Sequence, residues 1–319
     1  MNSEPNFESL QHSPPFVRKA FPDLGWLKAH TDSGAGWPTL IMNATASSSW
    51  RPDIRGPLTL FMNLSGTSRV TVTGYEAFVN PNVCFISNTD QRYSLEIDSI
   101  TPVETFNLHI GRELLSQTHQ SLVLQPERLL GEGGILPAAD FCFPNRLEPR
   151  EAALDAWIRR VLSLSTTLSS GPAQTQELEA AMLELLVWLL GRQAEIQREI
   201  ARLPAVKAGT RQELHARLNR ARDQLYAAST DILSLEELAA TACMSKYHFL
   251  RLFRAAYGCT PHQFQLRLRI ARAKALLKTS RLSVQEIALH FGFDDVSSFS
   301  RQFRSQVGTY PLHYRQQAG

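Results

Sequence analysis

Arg251 and Arg301 carry the clearest chemistry in this chain. Each guanidinium can donate two parallel hydrogen bonds to O6 and N7 of a guanine, the commonest base-specific contact in a major groove. The two lie 50 residues apart (301 − 251) in matching surroundings, Phe249-Leu-Arg251-Leu-Phe253-Arg254 and Phe299-Ser-Arg301-Gln-Phe303-Arg304. A lone surface arginine is more often half of an ion pair. Matched placement in two copies of one unit favours a repeated partner instead. Lys246, Arg254 and Arg304 beside them have the charge to meet phosphates, contacts that position a protein on nucleic acid without reading its sequence.

Other chemistries find little support. The nine histidines are isolated, no two closer than ten residues, and there is no HExxH, GxxxxGK[ST] or GxSxG motif. No catalytic residue, metal ion or cofactor is therefore expected, and the chain does not read as an enzyme. The four cysteines, Cys84, Cys142, Cys243 and Cys259, form no CxxC and no disulfide-like framework, which suits reduced thiols. The longest apolar run, Leu185 to Leu190, is far too short to span a bilayer. The N-terminus lacks the basic and apolar regions of a signal peptide. A cytoplasmic protein with no membrane partner is expected.

Those arginines need rigid elements to hold them, and the C-terminal third offers a duplicated one. Ser234, Glu237, Leu238 and Ala239 match Ser283, Glu286, Ile287 and Ala288 at an offset of 49 (283 − 234). Phe249, Arg251, Phe253, Arg254, Gly258 and Pro261 match Phe299, Arg301, Phe303, Arg304, Gly308 and Pro311 at an offset of 50 (299 − 249). Each copy reads as helix-turn-helix. A Ser-x-x-Glu capping box opens the first helix, and an i, i+3, i+4, i+7 stripe follows (Leu235, Leu238, Ala239, Ala242; Val284, Ile287, Ala288, Phe291). A short turn (Cys243-Met244; Gly292-Phe293) leads to a second helix opening at Ser245 or Asp295. Gly258 and Gly308 sit where left-handed C-terminal caps belong.

Between the copies, Thr260-Pro-His-Gln263 starts a further helix with a cap and a proline at its first turn. It has two apolar stripes about 200° apart, Phe264, Leu268, Ala271 and Ala275 on one side and Leu266, Ile270, Ala273 and Leu277 on the other. That pattern predicts a spine with one unit packed on each side. Charge agrees: from Ala205 onward there are 17 Lys and Arg against 8 Asp and Glu, while the preceding residues hold 16 against 22, although the whole chain is only +3. A basic C-terminal part suits a polyanion partner.

With 319 residues, 43% hydrophobic and 20% charged, the chain has material for two ordinary domains and no composition of disorder. The N-terminal part reads as β. Leu58, Leu60, Met62 and Leu64 alternate with Thr59, Phe61 and Asn63; Val70 and Val72 alternate, as do Tyr93, Leu95 and Ile97; Phe106, Leu108 and Ile110 oppose Thr105, Asn107 and His109. Turn residues between these short runs predict an antiparallel barrel or sandwich. Helices follow: a short one over 112–119, a longer one over 148–167, and the strongest over 174–203. In the last, Leu178, Met182, Leu185, Leu189, Ile196, Ile200 and Leu203 step by threes and fours, with Arg192 at the missing position. Such a seam suits a coiled-coil contact with a second copy; packing on its own barrel is the alternative. Residues 204–212 read as the linker.

The segment from about Leu214 to Arg315 resembles the DNA-binding domain of the AraC/XylS family of bacterial transcription regulators. The resemblance rests on both units, the spine helix, the stretch IALHFGFDDVSSFSRQF and the closing Gly308-Thr-Tyr-Pro311-Leu-His-Tyr314-Arg315. It implies an α+β multidomain fold: a cupin-like antiparallel barrel sensing an effector over 1–145, a helical dimerisation region over 146–203, and a DNA-binding domain of two helix-turn-helix units over 213–319. It further implies that the second helix of each unit enters the major groove of promoter DNA. The base-facing candidates are then Tyr247, Leu250 and Arg251 in the first unit, and Val296, Ser297, Ser300 and Arg301 in the second. Val296 departs from the polar readers of some relatives and suits a thymine methyl.

The implied effector is a small molecule, a sugar or another metabolite, with Arg51, Tyr93, Asn107 and His109 as candidate pocket residues and Trp26, Trp37 and Trp50 as available platforms. Trp50-Arg51-Pro52 precedes the first clear strand, as an arginine often does in that barrel, while Phe85 to Tyr93 lacks the histidine often found there. The implied mechanism is that of an effector-responsive regulator, most often an activator, acting as a homodimer and, as an activator, with RNA polymerase as partner. Two alternatives stand beside it: a first domain that recruits a protein partner or needs no effector, and a catalytic cupin, which the isolated histidines disfavour.

Overall fold

The computed structural model describes residues 16–18, 21, 37–112, 114–115, 142–166, 172–228 and 232–317. Eight strands form one sheet: β1 (Phe16–Arg18), β2 (Leu40–Arg55), β3 (Leu58–Ser65), β4 (Ser68–Val72), β5 (Tyr75–Val79), β6 (Val83–Ser87), β7 (Arg92–Ile110) and β8 (Leu147–Pro149). The sheet wraps into a nearly closed barrel that is antiparallel apart from the β1–β2 pair. Its organising element is β7. Its 19 residues pair with β2 along nearly their whole length, with β4 in the first half and with β3 in the second. The register with β2 shifts between Ala46 and Ser48 and again between Arg51 and Ile54, and such irregularities let long strands bend around a barrel.

The expected alternation is present, but both faces of the central strands are buried. On β7, Phe106, Leu108 and Ile110 are buried on one face, and Thr105, Asn107 and His109 on the other. Phe106 meets the edge of Trp157 on helix α1 (Ala152–Thr166), with ring centroids 6.2 Å apart. Trp157 Nε1 donates in turn to Ala181 O of helix α2 (Pro172–Ala201) at 2.7 Å. One face of β7 therefore carries helices and the other faces the barrel interior.

Three sequence expectations change here. Trp50, Arg51 and Pro52 do not precede the first strand; they lie inside β2. The helix expected from Glu148 begins at Ala152, because Leu147–Pro149 pairs with β6. The apolar seam is buried within its own chain: Leu178, Met182, Leu185, Leu189 and Ile196 of α2, and Leu203 just beyond it, are at most 7% exposed, and Ile200 is half-buried. It is therefore not the free seam expected for a second copy. Arg192, at the missing seam position, belongs to a buried ion network. Its guanidinium donates to Glu148 at 2.9 Å, Glu195 at 2.7 Å and Glu151 at 3.2 Å, while Arg146 donates to the other Glu148 oxygen. The helix expected over 112–119 lies mostly outside the described residues.

The chain divides into two compact units, Met1–Glu195 and Ile196–Gly319. In the second, helix α3 (Ala208–Ala227) starts within the expected linker, which is helical from Ala208 onward. Six helices follow: α4 (Leu235–Thr241), α5 (Lys246–Tyr257), α6 (Pro261–Thr279), α7 (Val284–His290), α8 (Val296–Val307) and α9 (Pro311–Gln316). Three capping boxes form as the spacing predicts, Ser234 with Glu237, Thr260 with Gln263, and Ser283 with Glu286. Gly258 and Gly308 cap α5 and α8 at φ +71° and +87°.

Two aromatic cores lie on either side of α6. Phe264 and Leu268 pack against the first, built around Leu218, Phe249 and Phe253. Ile270, Ala273 and Leu277, with Leu266, belong to the second, built around Phe299 and Phe303. The spine reading therefore holds, except that Ala271 and Ala275 are exposed. Two arginines satisfy carbonyls at helix C-termini, where cations are favoured. Arg272 donates to Tyr226 O and Ala228 O at the end of α3, and Arg315 donates to Leu277 O at 3.2 Å near the end of α6.

Candidate nucleic-acid interface and interior cavity

Helices α4 and α5 form one pair joined by a short turn, and α7 and α8 the other. The two turns match in conformation: Cys243 has φ +52° and Gly292, 49 residues on, has φ +66°. The side chains of α5 and α8 divide as an amphipathic pattern requires. Phe249, Leu252, Phe253 and Ala256 are buried from α5, and Phe299 and Phe303 from α8. Their opposite faces are polar. Tyr247 is 87% exposed; Lys246, Arg251, Arg254, Ser297, Arg301 and Arg304 are exposed, and Leu250, Val296 and Ser300 are half-buried. All ten residues expected at a DNA surface thus lie on the outward parts of the second helices.

Their electrostatics differ. Lys246 Nζ lies 2.5 Å from Glu236, and that contact, chiefly its hydrogen bond, holds the Glu236 carboxyl below its ordinary range. Arg304 donates to the Tyr310 hydroxyl at 2.7 Å and lies over its ring at 4.7 Å. Arg251, Arg254 and Arg301 have no ion-pair partner among the described residues. Three exposed guanidinium groups without protein partners are what a polyanion surface requires.

The barrel holds a second candidate site, a small, partly open cleft. Arg51, Tyr93, Asn107 and His109, the four expected pocket residues, all line it. Phe21 and Trp37 complete an aromatic wall, with Arg51 Cζ 5.2 Å from the Phe21 ring centroid and Trp37 stacked on His109 at 5.1 Å. Gly111 lets this wall form. A Cβ there would lie 2.4 Å from Trp37 O, and its N–H donates to Thr39 Oγ1 at 3.0 Å. Trp50, by contrast, is 56% exposed, and Trp26 lies outside the described residues.

Burial sets the protonation of these walls. His109 is held down to about 3 and stays neutral, and Tyr93 is pushed up and keeps its proton. Thr59 Oγ1 donates its proton to Pro57 O at 3.0 Å, so its 3.2 Å contact with His109 Nδ1 must be donated by the imidazole. His109 Nε2 is then an acceptor. Asn107 Oδ1 is occupied by Met62 N–H at 3.2 Å. Among the described residues no group of three or more His, Cys, Asp or Glu is placed to hold a metal ion.

Comparison with known proteins shows what these helices on their common spine resemble. Residues 238–317 match the family model described as a helix-turn-helix domain. The transcriptional regulator AlkR of Acinetobacter baylyi is 33% identical over 123 residues, covering 39% of this chain and 40% of that protein. The MmsAB operon regulatory protein of Pseudomonas aeruginosa is 38% identical over 114 residues, 36% of this chain and 32% of that protein. Among solved structures, the DNA-binding domain of AdpA in complex with a target DNA is 34% identical, covering 31% of this chain and 89% of that one, with a TM-score of 0.30. The chain thus spans less than half the length of these two curated relatives. Through its C-terminal domain the chain is similar to helix-turn-helix transcription regulators, AraC-type DNA-binding domains among them.

Proposed function

We propose that this protein is a sequence-specific, effector-responsive transcriptional regulator, most simply an activator, that reads promoter DNA with α5 and α8. The observation that carries the proposal is the matched pair Arg251 and Arg301, exposed and without an ion-pair partner among the described residues, on the second helices of two helix–turn–helix pairs. Tyr247 and Leu250 flank the first as base-facing side chains, and Val296, Ser297 and Ser300 the second. Lys246, Arg254 and Arg304 supply phosphate contacts. The spine is 19 residues long, about 28 Å at 1.5 Å per residue, enough to help present two helices to major-groove segments about one turn apart.

Residues 1–145 act as a cupin-like sensor whose cleft takes a small molecule against Arg51, Tyr93, Asn107 and His109. Aromatic walls with a few fixed polar groups suit a sugar or another compact metabolite carrying a hydrogen-bond donor for His109 Nε2. Residues 146–203 carry self-association through the outer face of α2, where Leu183 and Val187, one turn apart, are 48% and 56% exposed. RNA polymerase is the partner that activation requires.

The test starts with duplexes selected by the intact protein from a randomised pool. Arg251→Ala should weaken binding to the selected duplex by about 1–3 kcal/mol and relax preference at one base pair. Equal weakening on all DNA would reduce Arg251 to a phosphate contact. A thermal-shift screen of sugars, sugar acids and aromatic acids tests the cleft, since a ligand at 100 times its Kd adds about 2.7 kcal/mol of stability. His109→Ala should abolish the shift of any hit; a shift that survives places the ligand elsewhere.

A further inference from the structure

The turn of the second helix pair is a junction of three parts of the domain. Phe293 of that turn is 7% exposed and meets Phe299 of α8 edge-on, centroids 5.1 Å apart. Arg269 of the spine lays its guanidinium over the Phe293 ring, 4.1 Å from the centroid. At Gly292 a Cβ would lie 3.2 Å from Ile232 Cδ1 and 3.6 Å from Arg269 Nη2. Ile232 belongs to the segment leading into α4, the start of the first pair. First pair, spine and second turn therefore meet around one glycine and one ring.

Arg269 is an unusual choice for this place. It is 8% exposed, has no ion pair among the described residues, and its Nε and Nη2 atoms are buried without a hydrogen-bond partner. An apolar side chain of similar volume would fill the space without burying those N–H groups. The compensation present is the contact of a planar cation over an aromatic face, strongest when desolvated and not equivalent for lysine, with the nearby Asp294 charge in support. That contact fixes orientation as well as volume. Among the described residues the spine places no arginine at the turn of the first pair: Met244 stands at the position matching Phe293, and the spine meets that side through Phe264 and Leu268. The buried arginine there, Arg222, comes from α3 and lies 5.6 Å from the Tyr257 ring centroid.

We propose that Arg269 is a positioning residue. By holding Phe293 it fixes α8 against the spine, and so sets the placement of Arg301 relative to Arg251 on DNA. This rests on the reading of both helices as base readers.

The experiment is a double-mutant cycle with the intact chain on a selected duplex long enough for both helices. Arg269→Met keeps a long side chain against Phe293 and removes the planar cation. It should weaken binding about ten-fold, and in its background Arg301→Ala should cost little more, whereas Arg251→Ala should cost what it does in the parent protein. Inserting one base pair between the two recognised segments should penalise the variant less than the parent, because its second helix is no longer held in register.

Additive effects of Arg269→Met and Arg301→Ala overturn the proposal, as does equal coupling to Arg251, which would mark a general loss of structure. Should Arg269→Met fail to fold, Ile232→Ala decides, since this side chain is 56% exposed. It should give the same selective coupling to Arg301, a few-fold in size, and additivity there overturns the proposal equally. If Arg301→Ala alone leaves binding unchanged while Arg251→Ala weakens it, then the reading of α8 has failed, and this inference with it.

Discussion

Acidification should destabilise the barrel through His109, and the size of the effect follows from its surroundings. The imidazole is 2% exposed, stacked on Trp37, edge-on to Phe61 at 6.4 Å, and hydrogen-bonded to Thr59. Burial lowers its folded-state value to about 3. In the unfolded chain a histidine titrates near 6.5. Between these limits the unfolded state binds a proton that the folded state refuses, so stability is complete above about pH 6.5 and falls as pH drops towards 3. With those two values, linkage gives a loss of about 2 kcal/mol at pH 5 and about 3 kcal/mol at pH 4.

For a unit of this size, about 2 kcal/mol corresponds to roughly 4–8 °C in melting temperature. The measurement is the melting transition of the parent and His109→Asn at intervals from pH 7.5 to 4. The asparagine amide retains a donor for Thr59 but cannot titrate. His109→Asn starts lower at pH 7.5 because ring contacts are lost. Its curve should then be flatter, so the two approach each other as pH falls. Carboxylates titrate in both proteins and cancel in the difference. Parallel curves over the whole range would refute the reasoning, because they would mean that His109 takes up its proton as readily in the folded barrel as in water.

Three further outcomes are expected. Glu148→Gln should cost the first unit about 3–5 kcal/mol in denaturant unfolding, because Arg146 and Arg192 lose the buried carboxylate they share; a loss under 1 kcal/mol would show the network to be well hydrated. Glu237 and Glu286 are both held below the ordinary carboxylate range, chiefly by the backbone N–H of Ser234 and Ser283. Their contribution is full above about pH 4.3 and is lost as pH falls through the lowered values, so Glu237→Gln with Glu286→Gln should flatten the acid limb below about pH 4. Arg254→Ala should reduce the slope of log K against log salt by about 0.9 while leaving base preferences alone, and an altered preference would make Arg254 a base reader.

The DNA-binding domain was legible because its signals are local. A Ser-x-x-Glu box, a 3.6-residue stripe and a glycine at a left-handed cap each specify a helix end or face within a few residues, and duplication repeats every one of them. The barrel was less so. Strand β2 runs over LIMNATASSSWRPDIR, whose serines and proline break the period-2 signal; pairing with β7 over nearly its whole length overrides local preference. Asn107 and His109 stand out because polar side chains alternate with apolar ones on β7, whereas Arg51, on β2, is singled out only by the resemblance. Phe21 and Trp37 were not separable from other aromatics, since their placement depends on contacts distant in sequence.

The α2 seam shows a different limit. Its spacing marks which face is buried but carries no information on whether the covering surface belongs to the same chain. Alanine is an equally poor witness, because a methyl group adds little to either side of the balance; hence Ala271 and Ala275 read as core and are exposed. Buried charges were invisible for the opposite reason. Arg146, Glu148, Arg192 and Arg269 look like surface residues in any local window, and only the partners brought by the fold make their burial tolerable.

The two helix pairs share a frame but not a chemistry, and the difference bears on how DNA is read. The α5 face offers an exposed tyrosine, Arg251 and Arg254, with Lys246 already paired to Glu236. The α8 face offers Val296 and two serines around Arg301, with Arg304 held by Tyr310. Among the candidate readers of α8, Val296, Ser297, Ser300 and Arg301, only the arginine can make a bidentate base contact, so on the proposed reading discrimination by the second unit depends on that guanidinium arriving at the right height in the groove. A single specific contact tolerates misplacement poorly. The unit with fewer readers is also the one whose turn is clamped to the spine by Arg269 and Phe293. On the reading proposed above, rigid placement of the second unit compensates for its sparse chemistry, whereas Met244 stands at the matching position of the first unit.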